Sequence, residues 1–315
     1  MTTQEHMAAR DLAGLAPVLR RAAVRAARAP SVHNTQPWRF VLRADHLELH
    51  ADWTRQLPAY DPLGRQLLMS CACALLNMRA ALAAGGYAAD VAVFPDPGRS
   101  QLLATVTPVR SRAADAELGR LDPAIDTRHT NRAAFTAGLD SVSRDALLAA
   151  AAAEGALLVP AGDGTAAVFE ELNMLAQRRH NADPAHRVEL RAWTVPDADR
   201  RDGIPGGRSA FTQFLVHDRP GEGAPDLLVL CTLRDDRLAW IEAGEALERV
   251  LLGAAARGLA ARTLTQIIEI PEFRARLSAE LGLRAAPQAV LQVGHAPPGA
   301  GTRRRRLVDV ITPGR

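Results

Sequence analysis

Two short polar runs bring hydroxyl, amide and guanidinium groups close together. The first, Pro30-Ser31-Val32-His33-Asn34-Thr35-Gln36-Pro37-Trp38, follows a predicted helix and confines its polar donors between two prolines, whose fixed φ stiffens the loop. The second, Arg128-His129-Thr130-Asn131-Arg132, follows the Asp122-Pro123 turn and sets two arginines around a hydroxyl. Read alone, each is a polar loop. A third run, Arg303-Arg304-Arg305-Arg306, precedes Leu307-Val308-Asp309-Val310-Ile311, which reads as an edge strand. Those arginines are either a solvated tail or a source of one or two planar forks for phosphate oxygens. The nine histidines are scattered; His46 and His50 fall on one face of a predicted strand, where two ligands make no metal site and a solvated face is expected. Cys71 and Cys73 sit among alanines and leucines, where cysteine packs as a small hydrophobe.

Other chemistries lack their signatures. There is no G-x-S-x-G, Walker A loop, G-x-G-x-x-G or H-E-x-x-H, which weakens the hydrolase, kinase and zinc readings together. All 38 basic residues are arginine, so Schiff-base and lysine general-base mechanisms are excluded. An anion must be met by arginine forks, histidines, helix ends or backbone amides. The net charge of +3 and the lack of aromatics between the basic residues argue against a nucleic-acid binder. Three cysteines make no disulfide framework, which fits a reducing compartment. The N-terminus carries charges where a signal peptide needs an apolar run, and no stretch reads as the ~18 apolar residues of a membrane span. A cytoplasmic protein without a membrane partner is expected.

At 315 residues with 48% hydrophobic residues, a sizeable core is expected. Leu15 to Ala29 has helical spacing and stops at Pro30. Arg39 to Leu42 and His46 to His50 read as a hairpin, Gln66 to Ala84 as a buried helix closed by glycines, and Asp90 to Phe94 and Leu102 to Val109 as strands. The order then returns: helix Ser143 to Ala153, strand Ala156 to Val159, helix Val168 to His180, strand Leu227 to Leu230, and buried helix Leu238 to Ala256. The two long apolar helices point to an internal duplication. Between the halves, His186 to Arg219 shows no periodicity and is either a lid or a linker.

The run APSVHNTQPWRF resembles the A-P-S-x-x-N-x-Q-P-W-x-F segment of the FMN-dependent nitroreductase superfamily, and Arg128 to Arg132 resembles its R-x-[ST]-x-R segment. Ordinary members carry the arginine motif before the loop in one subunit, and FMN sits at the dimer interface. Here no arginine motif precedes Pro30 and no second loop follows Arg132, so each half keeps what the other lacks. With RQLLMSCACALLNMRAAL and AWIEAGEALERVLLGAAARGLAARTLTQIIE, the chain resembles the Acg-like branch, in which a lid covers the flavin pocket.

The resemblance implies an α+β, nitroreductase-like fold: one unit of 315 residues with two related lobes, about 12–115 and 116–315, each a mixed, largely antiparallel sheet with helices. The lobes would form a fused pseudo-dimer, with a lid at about 186–219. A monomer by internal duplication is expected, with a dimer the alternative. Arg128, Thr130 and Arg132 should meet the phosphate and ribityl chain of FMN, Pro30, Ser31, Asn34 and Gln36 should approach the flavin from the other half, and Arg304 and Arg306 should complete the anion site. The family also places backbone amides near the flavin, here about Thr265 and Gln266. Two functions follow. One is an NAD(P)H-dependent oxidoreductase passing hydride through FMN to nitroaromatic or quinone-like acceptors; the other is a catalytically silent protein that stores or sequesters FMN under a lid. In both, the flavin carries the chemistry and no side chain is assigned as catalytic.

Overall fold

Two helices that are apolar on nearly every side organise the chain, because a helix without a polar face must be covered all round. The computed structural model describes residues 3–162, 164–195, 200–205, 224–299 and 301–314, with backbone alone at 3–13, 195 and 205. In chain order the first half holds α1 (Thr3–Ala26), β1 (Trp38–Leu42), β2 (Leu47–Ala51), α2 (Arg65–Ala84), β3 (Ala88–Val93) and β4 (Leu102–Val109). Short helices α3 (Ala116–Gly119) and α4 (Ala124–Thr127) lead to α5 (Ser141–Ala152), β5 (Leu157–Pro160), α6 (Ala166–Ala182), α7 (Pro184–Trp193), β6 (Thr194–Val195) and β7 (Ile204–Pro205). The chain closes with β8 (Asp226–Thr232), α8 (Arg237–Ala256), β9 (Ala260–Leu264), α9 (Gln266–Glu269), α10 (Pro271–Glu280), β10 (Ala286–Gly294), α11 (Leu307–Val310) and β11 (Ile311–Pro313).

Among the described residues the strands form a five-stranded sheet, β11-β1-β2-β4-β3, a four-stranded sheet, β5-β8-β10-β9, and the short pair β6-β7. Both large sheets repeat one pattern. Helix, strand, strand, long helix, strand, strand gives the order first-second-fourth-third, antiparallel throughout, in α1-β1-β2-α2-β3-β4 and again in α5-β5-β8-α8-β9-β10. The expected α+β architecture is therefore present. The second half differs by inserting α6 to β7 between its first two strands and α9 and α10 between its last two.

The halves are not independently packed. One core cluster joins Phe40, Leu49 and Leu103 of the first sheet to Leu228 and Leu291 of the second through α2 and α8. Burial of each such side chain contributes roughly 1.5–3 kcal/mol. The helices meet at Gly244, where a Cβ would lie 2.3 Å from the Met69 carbonyl oxygen and 2.6 Å from the Ala72 methyl. Only glycine permits that approach. The Cys73 thiol meets the Gly244 carbonyl at 3.2 Å, and both Cys71 and Cys73 are buried as expected. Helix α2 departs from one expectation: its 20 residues, with window hydropathy 1.7, reach the length and apolarity of a membrane span. The reason is its place at the centre, with 83% of that window buried inside the protein.

Three local expectations are corrected. Leu307 to Val310 is a turn of helix, and only Ile311–Pro313 forms the edge strand, parallel to β1 with Phe40 opposite Ile311. Residues 186–193, read as aperiodic, belong to α7, which begins after Asp183 as N-cap with Pro184 at its first position. Of the rest of the lid reading, 194–195 and 200–205 include the short pair β6-β7, and 196–199 and 206–219 lie outside the described residues. His46 and His50 do not share a strand face: His46 precedes β2 and pairs with exposed Asp45, whereas His50 Nε2 lies 2.7 Å from buried Glu48, which also receives Arg43 and Arg99. Those donors hold the Glu48 carboxyl down at about 2 against its burial.

Candidate functional site

The loop after α1 is held by its own polar residues. Ser31 Oγ accepts from the Gln36 amide at 2.9 Å, and the Val32 amide donates to Ser70 Oγ on α2 at 3.2 Å. Within this turn His33, Asn34 and Gln36 all take positive φ, of 47°, 53° and 50°. Asparagine and histidine tolerate that region better than most residues, so three such positions in four mark a loop shaped by its contacts.

The arginine segment reaches the same place from the other half. Arg21 and Arg25 of α1 pair with Asp122, and Arg25 also pairs with Asp126, which fixes the segment leading into Arg128. Thr130 bridges Ala261 of β9 in parallel, and the Asn131 amide donates to the Ala261 carbonyl at 3.0 Å. His129 and Asn131, the variable positions of the motif, anchor the returning C-terminal segment: Gly299 N donates to His129 Nε2 at 3.2 Å and Asn131 Nδ2 to the Pro297 carbonyl at 2.8 Å. That segment then passes over the loop. Asn34 Nδ2 donates to the Arg303 carbonyl at 3.2 Å, Arg304 Nη1 donates to Asn34 Oδ1 at 3.3 Å, and the Arg305 amide donates to Gln36 Oε1 at 2.7 Å.

A cavity of about 420 Å³ opens between these segments. Its walls include Pro30, Ser31, Asn34, Arg128, Thr130, Arg132, Thr265, Gln266 and Arg304, all named from the sequence. Two named residues stay outside. Gln36 is fully buried beneath the loop and donates to the Arg201 carbonyl at 2.8 Å. Arg306 turns outward and makes a bidentate pair with Asp309, 3.0 Å on each arm, because Asp309 stands three residues on in α11. Of the four consecutive arginines, only the Arg304 side chain lines the cavity.

Sequence reasoning missed the cavity floor. Gln66, Met69, Ser70 and Cys73 of α2 face it at helical spacing of 0, 3, 4 and 7, with Leu247 and Leu251 of α8 beside them. That periodicity was visible in the sequence, but in a helix apolar all round it distinguished no face. His33, Tyr60 and Arg262 also contribute. Tyr60 gathers three histidines that are distant in sequence: ring centroids lie 4.6 Å to His33, 4.8 Å to His180 and 4.9 Å to His186. Burial, with Arg132 and His186 nearby, lowers His33 to about 4, so the ring facing the cavity is neutral.

Electrostatics favours an anion at one end. Arg128 and Arg304 both donate to the Arg28 carbonyl, two residues past α1, at 3.3 Å and 3.1 Å. Burial and the Arg128 charge press Arg304 down to about 9. The buried acid beside them is Glu248, 3.4 Å from Arg128 Nε, itself pushed up to about 7 by burial. Arg128 Nε has no hydrogen-bond partner there. At the other side a covering segment descends onto the loop: Asn34 and Gly203 exchange two 3.3 Å hydrogen bonds, and Asp202 pairs with Arg55. Gly203 and Ile204 are buried against the cavity, and Arg55 stacks over Trp193 at 5.3 Å.

No protein-family model matches the chain. Curated relatives do. "Putative NAD(P)H nitroreductase Rv3131" of Mycobacterium tuberculosis is 37% identical over 311 residues, covering 91% of this chain and 88% of that protein. The chain belongs to the nitroreductase family. A second nitroreductase of the same organism, "Putative NAD(P)H nitroreductase acg", is 32% identical over 316 residues, with 93% of this chain and 95% of that protein covered. Among solved structures, a nitroreductase from Bacteroides fragilis with bound FMN aligns over 59% of this chain and 93% of its own, at 18% identity and TM-score 0.41. A nitroreductase from Desulfitobacterium hafniense with bound FMN aligns over 61% and 97%, at 14% identity and TM-score 0.43.

Proposed function

We propose that this nitroreductase-family protein binds FMN in the cavity between the loop, the arginine segment and the C-terminal return, and works as an NAD(P)H-dependent oxidoreductase on nitroaromatic or quinone-like acceptors. The observation that carries the reading is the meeting of Arg128 and Arg304, from opposite ends of the second half, at one buried spot beside the Asn34 loop. Two guanidiniums that press on each other, one of them paired only at 3.4 Å with the carboxyl of Glu248, suit a phosphate dianion better than that single carboxyl. The residues therefore fit the group.

Arg128, Arg132 and Arg304 would hold the phosphate, Thr130 the ribityl chain, and Ser31, Asn34, Thr265 and Gln266 the ring system. FMN, when bound, supplies reversible hydride acceptance. The protein's own part is positioning and exclusion. The strained Ser31–Gln36 turn fixes its donors, neutral His33 adds no competing charge, and the α2 floor of Met69 and Cys73 keeps water from one side. The likeness of the two halves in strand order supports a fused pseudo-dimer produced by internal duplication, with lobes at about 12–115 and 116–315, and a monomer in solution.

A second reading, flavin storage or sequestration without turnover, is favoured by the covering segment, since Gly203 and Ile204 already lie buried over the cavity and Asp202 is tied to Arg55. The visible spectrum recorded anaerobically, before and after NADPH and then NADH, separates the two. A flavin band that bleaches supports the reductase, and one that persists supports storage. If no flavin is present or can be reconstituted, both fail.

A further inference from the structure

The C-terminal segment returning from β10 meets the arginine segment before Arg304 reaches the cavity, and two side chains hold it there. Asn131 Oδ1 accepts from the Ala133 amide at 2.8 Å, which orients the carboxamide and leaves Nδ2 to donate to the Pro297 carbonyl at 2.8 Å. His129 makes the next contact, with Nε2 accepting from the Gly299 amide at 3.2 Å and Nδ1 lying 2.7 Å from the Thr127 carbonyl oxygen. Gly299 packs directly on the ring, since a Cβ there would stand 3.3 Å from both Cδ2 and Nε2. Further along the return, Arg304 lines the cavity and donates to Asn34 Oδ1 and to the Arg28 carbonyl.

These two partners fix where the ring carries its hydrogen. A carbonyl can only accept, so Nδ1 must hold a proton; a backbone amide can only donate, so Nε2 must hold none. The pair of contacts therefore exists in one neutral tautomer alone. An imidazolium would set its Nε2–H against the Gly299 N–H, two donors facing each other with no acceptor between them. The charged groups around the ring give such a proton no support. Asp126 of the same segment is taken by Arg25 and Arg28, and Glu248 of α8 stands beside Arg128. The other charges on the segment, on the return up to α11 and on β9 are the cations Arg132, Arg262 and the arginines at 303–306.

We propose that His129 is a positioning residue for the phosphate end of the flavin cavity: its neutral ring clasps the C-terminal return at Gly299 and so holds Arg304 in place, and protonation of the ring opens the clasp. The clasp is a property of the chain alone, whereas its effect on the cofactor rests on the flavin reading above. Histidine side chains take up their proton between roughly pH 5 and 8. The contact is complete at the upper end of that range and is lost as pH falls through it.

Long-range proton–nitrogen NMR on the full chain at about pH 8, assigned by the signals missing from His129→Gln, should place the ring proton on Nδ1; a proton on Nε2 overturns the proposal. Trypsin reads the return itself, because the consecutive arginines from 303 are its sites and the contacts to Asn34 and Gln36 shield them. Without added FMN, cleavage after Arg303 or Arg304, followed by mass spectrometry, should run about two- to tenfold faster in the unaltered chain than in His129→Gln at about pH 5.5, and equally at about pH 8. Glutamine can accept from Gly299 but takes up no proton, so that variant should keep the return in place at both pH values, while His129→Ala should be cut fast at both. FMN release should accelerate by a similar factor in the same comparison, in which the titration of Glu248 and of the phosphate is common to both chains. Equal cleavage of the unaltered chain and His129→Gln at both pH values would overturn the clasp, and unequal cleavage with equal FMN release would overturn its hold on Arg304. A chain that shows the cleavage difference yet binds no FMN at either pH keeps the clasp and loses the flavin reading instead.

Discussion

Arg128 Nε stands 3.4 Å from Glu248 Oε1, and both side chains are almost wholly buried, at 5% and 0% exposed. The pair joins the arginine segment to the central helix α8 at the place where an anion would sit. A single buried carboxyl here is poorly compensated, and burial is the main reason it holds its proton up to about pH 7.

That displacement sets the sign of one pH effect. Glu248, near 7, and Glu269, pushed to about 8 by burial, bind protons more strongly folded than unfolded, where a glutamate titrates at roughly 4.3. Their stabilising contribution is complete below the unfolded value and is lost as pH rises through the folded values. Denaturant unfolding should therefore show stability falling between about pH 4.5 and 8, with the slope reduced in Glu269→Gln. A flat profile across that window would show that these carboxyls are ionised in the native state.

Flavin binding should follow the same proton. A phosphate dianion beside Glu248 favours its protonated form, so binding takes up a proton and affinity should weaken above about pH 7, by at most about tenfold per pH unit. Fluorescence titration of FMN from pH 6 to 9 measures this. In Glu248→Gln the dependence should flatten; if it persists unchanged, another group holds the coupled proton.

Arg128→Ala and Arg304→Ala each remove a charge-assisted donor. A loss of roughly 1.5–3 kcal/mol, or about 10- to 150-fold in FMN affinity, is expected for each. Arg306→Ala, whose side chain is engaged by Asp309 on the surface, should change affinity by less than about twofold. Equal effects at 304 and 306 would contradict the assignment of Arg304 alone to the cavity.

Gly244→Ala forces a methyl against the Met69 carbonyl, 2.3 Å away. The helices α2 and α8 must separate, at a cost of roughly 1–3 kcal/mol or more. Guanidinium unfolding would register the loss, and an unchanged midpoint would mean that the helices have room to shift.

Asp202→Ala removes the tie from the covering segment to Arg55. FMN release, followed by the return of free-flavin fluorescence on dilution, should accelerate several-fold with little change in equilibrium stability. An unaltered release rate would mean that the segment does not gate the cavity.

Local sequence carried a large part of the architecture. The two all-apolar helices, the hairpin before α2, the two strands after it and the two strands before α8 were legible, because burial on every side and alternation along a strand leave direct marks on residue order, whereas β9 and β10 after α8 were not read. The polar loop at 30–38 and the arginine segment stood out as residue types, but read alone each was a polar loop; the resemblance to the nitroreductase superfamily named from them nine residues of the cavity wall.

Only the tertiary structure decided which of four consecutive arginines points inward. That choice depends on α11 forming and Asp309 capturing Arg306, while the extended segment before it carries Arg304 over Asn34. It also brought His33, His180 and His186 around Tyr60 from three separate elements and selected the Gln66-Met69-Ser70-Cys73 face of α2. Such contacts join residues that are far apart along the chain, and no local pattern encodes them. A helix apolar all round shows that it will be buried; its neighbours determine which side meets a ligand.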